Sequence, residues 1–367
     1  MDAPSIIARA QSWIQIAAYA PSGDNSQPWQ VGLGMPGSRL VLTLDLDEST
    51  RTTPSLFDTN FVASLISLGA FAENFRLLAE AEGYELVDLR ETLARFTLNF
   101  VPSNSSAKFS PREIAALIRQ RVTNRFPFEN EPLDPNTFAA ITALTAESPN
   151  HLCIRAFCAK EKRQLADMFY SLDQVRYQNT GFYLEFLDKL RFGKEAEESR
   201  DGLRDVTLGA PRPALIFLRI LRRLRRSPAA RLLFFIGLQK LMAFIGCRML
   251  VRKSAAVIVI SARADTPEEW FALGRCFQRV WLELTQHRVA VQPLGTTFLV
   301  YRFIYERDRS EISSFTKHEQ GLLLCAYKRF DEQFGIDLRL PCIAFRIGHA
   351  RETIGRSLRR SVAIHPL

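Results

Sequence analysis

The sequence has little cysteine, no long uncharged apolar run and no recognisable leader. Its 367 residues include 6 cysteines, none of them in a CxxC pair, which argues against a disulfide framework or a zinc ribbon. No run of about 18 apolar residues is free of Arg and Lys, so no membrane span is predicted. The N-terminus lacks a basic start followed by an apolar segment, so no secretion signal is predicted. We therefore expect a cytoplasmic protein.

Acidic residues are absent from one long segment. Residues 206–264 contain no Asp or Glu but twelve Arg or Lys. The whole chain carries a net charge of +9, so without these twelve charges the remainder is net −3. The basic character is therefore local to this segment.

What the sequence does contain is an ordinary globular composition, with 47% apolar and 24% charged residues. This composition excludes wholesale disorder, collagen and a coiled coil, and the length predicts about two domains. Periodicity and turn residues predict helices at 4–19, 65–83, from Ser110, 135–145, 170–192 and 267–287, and strands near 29–33, 40–45, 95–101, 151–157 and 255–261.

The order of these predicted elements repeats. The helix at 267–287 can be placed on the helix at 65–83 with a constant offset that aligns Gly69 with Gly274 and Leu77 with Leu282. We interpret this as an internal duplication. The resulting division is 1–109 for the first repeat, 110–159 and 254–367 for the second, and 160–253 for an insertion. An insertion of this length is typical of a lid or an interaction arm.

The most specific motif is Ala-Pro-Ser-Gly-Asp-Asn-Ser-Gln-Pro-Trp at residues 20–29, directly after the first helix. The polar groups of Ser22, Asn25 and Gln27 suit the edge of a planar heterocycle, with Trp29 anchoring the loop. A simple tight turn explains the same residues.

A second motif places Arg121, Thr123 and Arg125 where a helix ends. Arginine gives fixed charge and paired donors, so this group suits a phosphate, although it is uncertain from sequence alone whether Arg119 or Arg121 would meet it. A solvated basic helix end is the alternative. At the C-terminus a strand containing Arg346 leads to Arg359 and Arg360, which predicts either a tail that closes over the same phosphate or a disordered basic tail.

Together these motifs resemble the FMN-dependent nitroreductase-like flavoproteins, and in particular a single-chain, two-repeat subgroup. The family motif APSxxNxQPW is matched at residues 20–29, and its RxSxR phosphate motif is matched by Arg121, Thr123 and Arg125. The resemblance implies an α+β fold, with the flavin phosphate on those three residues and, less directly, on Arg359 and Arg360. It implies that the isoalloxazine ring contacts Pro21, Ser22, Asn25, Gln27 and Gly295.

The two halves depart from the family pattern in complementary ways. The first half has the loop but no phosphate motif, and the second has the phosphate motif but Ser-Pro-Asn-His at 148–151 in place of the loop. The resemblance therefore implies an intramolecular pseudo-dimer with one composite FMN site, which functions as a monomer.

Three functional hypotheses remain open. The first is an FMN-dependent NAD(P)H oxidoreductase that reduces a nitroaromatic, quinone or similar planar acceptor through flavin N5, so no catalytic side chain, metal or separate GxGxxG domain is expected. The second is flavin storage, with Tyr177, Phe182, Tyr183 and Phe186 of the insertion as a lid. The third is contact of the basic segment 212–253 with a membrane surface or another anionic partner, against the alternative of a solvated helix or a guide for an anionic substrate. Nucleic acid is not an expected partner, because no aromatic platform is interleaved with these arginines.

Overall fold

The structure of the protein is a computed structural model that describes residues 3–105, 107–129, 131–146, 153–157, 159–228, 237–311, 314–351 and 355–367. Two larger sheets and the helices on them give an α+β fold. The predicted loop counterpart at 148–151 lies outside the described residues. The elements of the predicted first repeat are α1 (Ala3–Ala17), β1 (Trp29–Gly34), β2 (Leu40–Leu46), α2 (Glu48–Thr52), α3 (Val62–Ala81), β3 (Tyr84–Thr92) and β4 (Arg95–Pro102).

The predicted second repeat lies on both sides of the predicted insertion. It begins with α4 (Pro111–Gln120), β5 (Phe128–Glu129), α5 (Pro135–Ala146) and β6 (Cys153–Phe157). The insertion comprises α6 (Ala159–Gln178), α7 (Thr180–Lys189), β7 (Leu190–Arg191), α8 (Lys194–Glu198), β8 (Leu203–Arg204), α9 (Arg212–Leu224), α10 (Leu238–Ala243), a π-helical turn (Phe244–Arg248) and α11 (Met249–Arg252). The repeat then continues with β9 (Ala256–Ser261), α12 (Pro267–Gln286), β10 (Ala290–Leu294), α13 (Thr297–Asp308), α14 (Lys317–Phe334), β11 (Cys342–Ala350) and β12 (Ile364–Pro366).

The two sheets have corresponding strand orders. The first contains β1-β2-β4-β3 and the second β6-β9-β11-β10, with antiparallel neighbours throughout. Along the chain, helix α3 lies between β2 and β3, and helix α12 lies between β9 and β10. The terminal strand β12 crosses to the first sheet and pairs in parallel with β1. The insertion occupies the connection between β6 and β9, where the first repeat has only the turn between β1 and β2.

Helices α3 and α12 cross at a pair of glycines. A Cβ added at Gly69 would lie 2.0 Å from the carbonyl oxygen of Phe271, and one at Gly274 would lie 1.9 Å from that of Ile66. Each glycine therefore faces the residue three positions before the other glycine. Only a residue without a side chain allows the two backbones to approach this closely.

Beside this crossing, Glu73 is fully buried among three arginines. Its carboxylate accepts bonds from Arg76 at 2.6 Å, from Arg275 at 3.0 Å and from Arg279 at 2.5 Å. Burial alone would raise the pKa of Glu73, but the three guanidinium groups outweigh it and hold the pKa well below its usual range. The crossing thus joins α3 and α12 by both close packing and a buried ion cluster.

Most predicted helices are confirmed, with ends shifted by a few residues, and the capping box at Ser110 forms with Glu113. The segment 170–192 is not one helix, because Asn179 caps the start of α7 and separates it from α6. Strand β3 was not predicted. Among the described residues one helix, Thr59–Ala81, is long and apolar enough to cross a membrane, and 78% of its most apolar window is buried inside the protein. Its packing against α12 is that of a core helix.

Replacing Gly274 with alanine is expected to destabilise the protein by about 2 kcal/mol or more, because the helix backbones must separate to admit the methyl group. Gly321 is the matched control, since it also lies in a helix but no atom lies within 4 Å of the position that an added methyl group would take. Gly321→Ala is expected to stabilise by up to ~1 kcal/mol. Urea unfolding measures both changes, and equal effects of the two substitutions would contradict the close crossing.

Candidate functional site

The loop after α1 has an unusual backbone. Asp24, Asn25 and Gln27 have positive φ values of 46°, 61° and 55°, although none of them is glycine. The backbone N–H of Gln27 donates to Ser22 Oγ at 3.0 Å, which closes the turn. Left-handed non-glycine residues persist only where neighbouring contacts hold them, so this loop is shaped by the tertiary structure around it.

The two carboxamides predicted to face a heterocycle bond instead to the chain. Asn25 Nδ2 donates to the carbonyl oxygens of Leu358 at 3.0 Å and Arg200 at 3.3 Å. Gln27 Nε2 donates to the Arg200 carbonyl at 2.6 Å, and Gln27 Oε1 accepts from the Arg360 backbone N–H at 2.8 Å. The loop is therefore held between the insertion and the C-terminal tail.

An arginine cluster, defined here as Arg121, Arg356 and Arg359, lies against this loop. Arg121 is buried, with its guanidinium 4.4 Å from the ring centroid of Trp281 and its Nη2 donating to the Tyr19 carbonyl at 2.6 Å. Its buried Nε has no hydrogen-bond partner in the described part of the chain. An unpaired buried donor of this kind indicates a missing acceptor.

The other two members of the cluster bind the loop from the tail. Arg359 donates to the carbonyl oxygens of Ala18 at 3.1 Å and Ala20 at 3.3 Å, and to Asn25 Oδ1. Arg356 lies 5.4 Å from the ring centroid of Tyr19. Within the described residues none of the three arginines forms an ion pair with a carboxylate.

The charges of the cluster repel one another. Burial lowers the pKa of Arg121 well below its usual range, and the charges of Arg359 and Arg356 lower it further. Burial and the charge of Arg356 lower the pKa of Arg359 to about 10. An anion with several oxygens would relieve this repulsion and accept the unpaired N–H, so the cluster suits a phosphate. Arg119, the alternative to Arg121 in the sequence motif, is exposed.

The rest of the predicted phosphate motif extends away from the cluster along the second sheet. Thr123 forms a parallel bridge with Val291 of β10, and the Asn124 N–H donates to the Val291 carbonyl at 2.9 Å. Arg125 Nη1 donates to the Thr207 carbonyl at 3.0 Å. Gly295 follows β10, with open space where its side chain would be. The extended backbone thus directs Arg121 and Arg125 to different surroundings.

A buried arginine outside the predicted site lies beside Arg125. Arg346 is completely buried in β11, where its Nε donates to Gln292 Oε1 at 2.6 Å and its Nη2 to the Phe126 carbonyl at 2.8 Å. Burial lowers its pKa to about 9, and its Nη1 has no partner among the described residues. The sequence signal for it is a single charge at the centre of an apolar strand.

A covering segment, residues 200–209 of the insertion, closes this region. Besides the Arg200 carbonyl described above, Arg200 Nη1 donates to the Arg359 carbonyl at 3.2 Å and Arg204 Nη1 to the Arg356 carbonyl at 2.7 Å. A side chain on Gly209 would lie 2.4 Å from the Arg125 backbone. One segment therefore contacts the loop, the tail and the phosphate motif.

Three of the four aromatic residues predicted as a lid are buried. Phe182 lies in a buried cluster with ring centroids 4.9 Å from Phe57 and 5.7 Å from Phe315. Tyr177 and Tyr183 are also buried. Phe182 therefore belongs to a hydrophobic core that holds the insertion to the body, and Tyr183 belongs to a smaller core within the insertion. Tyr177 and Phe186 pack on each other, with ring centroids 5.6 Å apart, and the aromatic lid stays a prediction. The described residues contain no group of three His, Cys, Asp or Glu suited to a metal.

Comparison with known proteins gives distant matches. No protein-family model matches the chain. An uncharacterised protein of Mycobacterium tuberculosis is 27% identical over 314 residues, which are 83% of this chain and 40% of that protein. The chain thus spans less than half the length of this relative.

Structural neighbours of the chain are nitroreductases. One is the FMN-dependent nitroreductase NfnB of Mycobacterium smegmatis in complex with NADPH, with 16% identity, a TM-score of 0.34 and coverage of 65% of this chain and 88% of that one. Another is a nitroreductase of Desulfitobacterium hafniense with bound FMN, with 14% identity, a TM-score of 0.32 and coverage of 67% and 93%.

Inorganic phosphate is expected to stabilise the flavin-free protein, by about 2.7 kcal/mol at a hundred times its Kd. Arg121→Met should lose most of this gain, yet be at least as stable as the original protein without anions, because it removes an unpaired buried charge. Arg112→Gln, an exposed change on α4, is the control. Thermal unfolding with and without phosphate measures the effect, and equal stabilisation of all three proteins would exclude an anion site at Arg121.

Proposed function

We propose that the protein binds one FMN and is an NAD(P)H-dependent oxidoreductase of nitroreductase type, acting on a nitroaromatic, a quinone or a similar planar acceptor. The observation that carries this proposal is the arginine cluster, which buries positive charge without a carboxylate and leaves Arg121 Nε unpaired in the described part of the chain. A flavin phosphate supplies the acceptors that this cluster lacks. The sequence resemblance supports FMN over other phosphate compounds.

The proposed site is composite, and the chain is an internal pseudo-dimer that functions as a monomer. The matching strand orders and the reciprocal glycine contacts support a duplication of one ancestral unit. The loop at 20–29 comes from the first repeat, and Arg121 and the tail arginines come from the second. We retain 1–109, 110–159, 160–253 and 254–367 as the proposed divisions of the chain.

The arginine cluster fits the phosphate of FMN, whereas the carboxamides expected at the isoalloxazine ring already form hydrogen bonds within the chain. Arg121, Arg356 and Arg359 would hold the phosphate. Asn25 and Gln27 have their carboxamides bonded to the covering segment and the tail, so they are free to meet a ring only after the covering segment moves. Pro21, Ser22 and Gly295 are the remaining proposed ring contacts, whereas Thr123 and Arg125, which were expected at the phosphate, contact Val291 and Thr207 away from the cluster.

Bound FMN would supply hydride transfer, and the chain's own residues would supply position and charge. The buried guanidinium of Arg125, whose pKa burial lowers, would provide a hydrogen-bond donor in a fixed position. The covering segment excludes water from the loop while its bonds to Asn25 and Gln27 persist. No side chain is required as a proton-transfer catalyst in this proposal.

Flavin storage is a second candidate, favoured by one observation. The Arg200 carbonyl accepts from both Asn25 and Gln27, which gives the covering segment a specific closed position over the loop. A site closed in this way would retain flavin and restrict the entry of NAD(P)H. The two candidates share the phosphate site and differ in access to the ring.

The visible spectrum of the purified protein tests both candidates. Reductase function predicts about one FMN per chain and bleaching by NADPH without oxygen, whereas storage predicts bound FMN that NADPH does not bleach. Arg121→Met should weaken FMN binding about tenfold to a hundredfold, because it removes a charged donor to the phosphate. Arg112→Gln should bind normally. Unchanged FMN affinity of the Arg121→Met protein would refute the proposed site.

A further inference from the structure

Exposed apolar side chains are concentrated in the insertion. Eight of the twelve large apolar side chains that the described residues expose lie between Val206 and Ile245. They include Ile216, Ile220 and Leu224 of α9, with Ile216 61% exposed. A contiguous exposed apolar surface of this kind marks an interaction site.

Helix α9 has three distinct sides. Leu218 and Leu221 face inward and belong to one small core, which Leu238 and Met242 of α10 also contact. Ile216, Ile220 and Leu224 are four residues apart and so lie on one side of the helix, where they form an exposed apolar side together with Phe217. An exposed basic side, next to it around the helix, contains Arg212, Arg219, Arg223 and Arg226.

Two other arginines of this region have a different role. Arg222 forms a two-bond ion pair with Glu195, at 2.5 and 2.8 Å, and Arg225 pairs with Asp188 at 2.6 Å. These pairs hold α9 and the residue that follows it to α8 and α7 of the insertion. Within the described residues the four exposed arginines have no ion pair, so their charge is available to a partner.

We infer that α9 and α10 dock on the surface of an anionic lipid bilayer. The apolar side would enter the boundary of the acyl chains, while the adjacent arginines meet headgroup phosphates, as in interfacial amphipathic helices. Residues 206–264 contain no Asp or Glu, so no carboxylate of this segment repels the surface. A second copy of the chain is a poorer occupant, because two such faces would bring like charges together.

Sedimentation with vesicles tests this inference on the full chain, with and without FMN. We expect binding to phosphatidylcholine vesicles that contain about 30% phosphatidylglycerol and little binding to phosphatidylcholine alone. Arg219→Gln with Arg223→Gln should weaken binding about tenfold or more, as should Ile216→Ser with Ile220→Ser. Arg39→Gln with Arg112→Gln makes the same charge change at exposed positions outside the insertion and should have little effect.

A second readout reports insertion directly. All four tryptophans, Trp13, Trp29, Trp270 and Trp281, are buried, so a Phe217→Trp substitution adds the single exposed indole. Brominated lipids should quench its fluorescence in anionic vesicles, and Arg219→Gln with Arg223→Gln should abolish that quenching.

Three results would overturn the inference. They are no sedimentation of the protein with anionic vesicles, an equal loss of vesicle binding in the Arg39→Gln, Arg112→Gln control, or vesicle binding without quenching of the fluorescence of the Phe217→Trp protein. Because the variants leave the arginine cluster intact, failure here would not affect the FMN proposal.

Discussion

The close crossing of α3 and α12 determines where the parts of the candidate site lie. Gly69 and Gly274 set the distance between the helices, and α12 then reaches both halves of the site. Gln278 on α12 donates to Asn74 Oδ1 at 2.7 Å, and Asn74 Nδ2 donates at 3.1 Å to the carbonyl of Ala17, the last residue of α1. One turn further along α12, Trp281 lies under the Arg121 guanidinium. Helix α12 therefore connects the end of α1, from which the loop follows, with Arg121 of the predicted phosphate motif.

Two groups of arginines near α12 differ in whether a carboxylate lies among them. At the crossing, Arg76, Arg275 and Arg279 surround Glu73, and the carboxylate keeps a strongly lowered pKa because the three charges compensate its burial. In the arginine cluster no carboxylate of the described residues plays this role, and the pKa values of Arg121 and Arg359 are lowered instead. A buried charge without a partner destabilises a fold, and a chain retains it where a ligand supplies the partner. Both groups contact α12. The arginines around Glu73 have their charge compensated by its carboxylate, so we regard them as structural. The arginine cluster has no such carboxylate among the described residues, so we regard it as a candidate site.

Local patterns were sufficient to predict the parts of this arrangement that depend on near neighbours in sequence. The capping box at Ser110 and the helices around Gly69 and Gly274 follow from spacing alone, whereas the contact between these two glycines was not predicted. Strand β3 was missed because most of its side chains are exposed and its apolar alternation is weak. The bonds from Asn25 and Gln27 to Arg200 join residues about 175 positions apart, and no local pattern encodes such a pairing. The same holds for Phe182, whose aromatic character is typical of a lid and of a core alike.

The position of the insertion explains how residues 200–209 reach the loop at 20–29, which lies in the other predicted repeat. In the first sheet β1 and β2 are joined by a short turn, and in the second the equivalent connection between β6 and β9 has been lengthened without disturbing their pairing. A connection at the end of a hairpin tolerates such growth because few buried contacts depend on it. Within the insertion, Arg200 accepts a hydrogen bond from Gln27 of the loop, and Gly209 lies against the backbone of Arg125. Helix α9 begins three residues after Gly209. The segment over the candidate site and the exposed basic helix are consecutive parts of one addition, so a change in the position of α9 acts on the covering segment through only a short stretch of backbone.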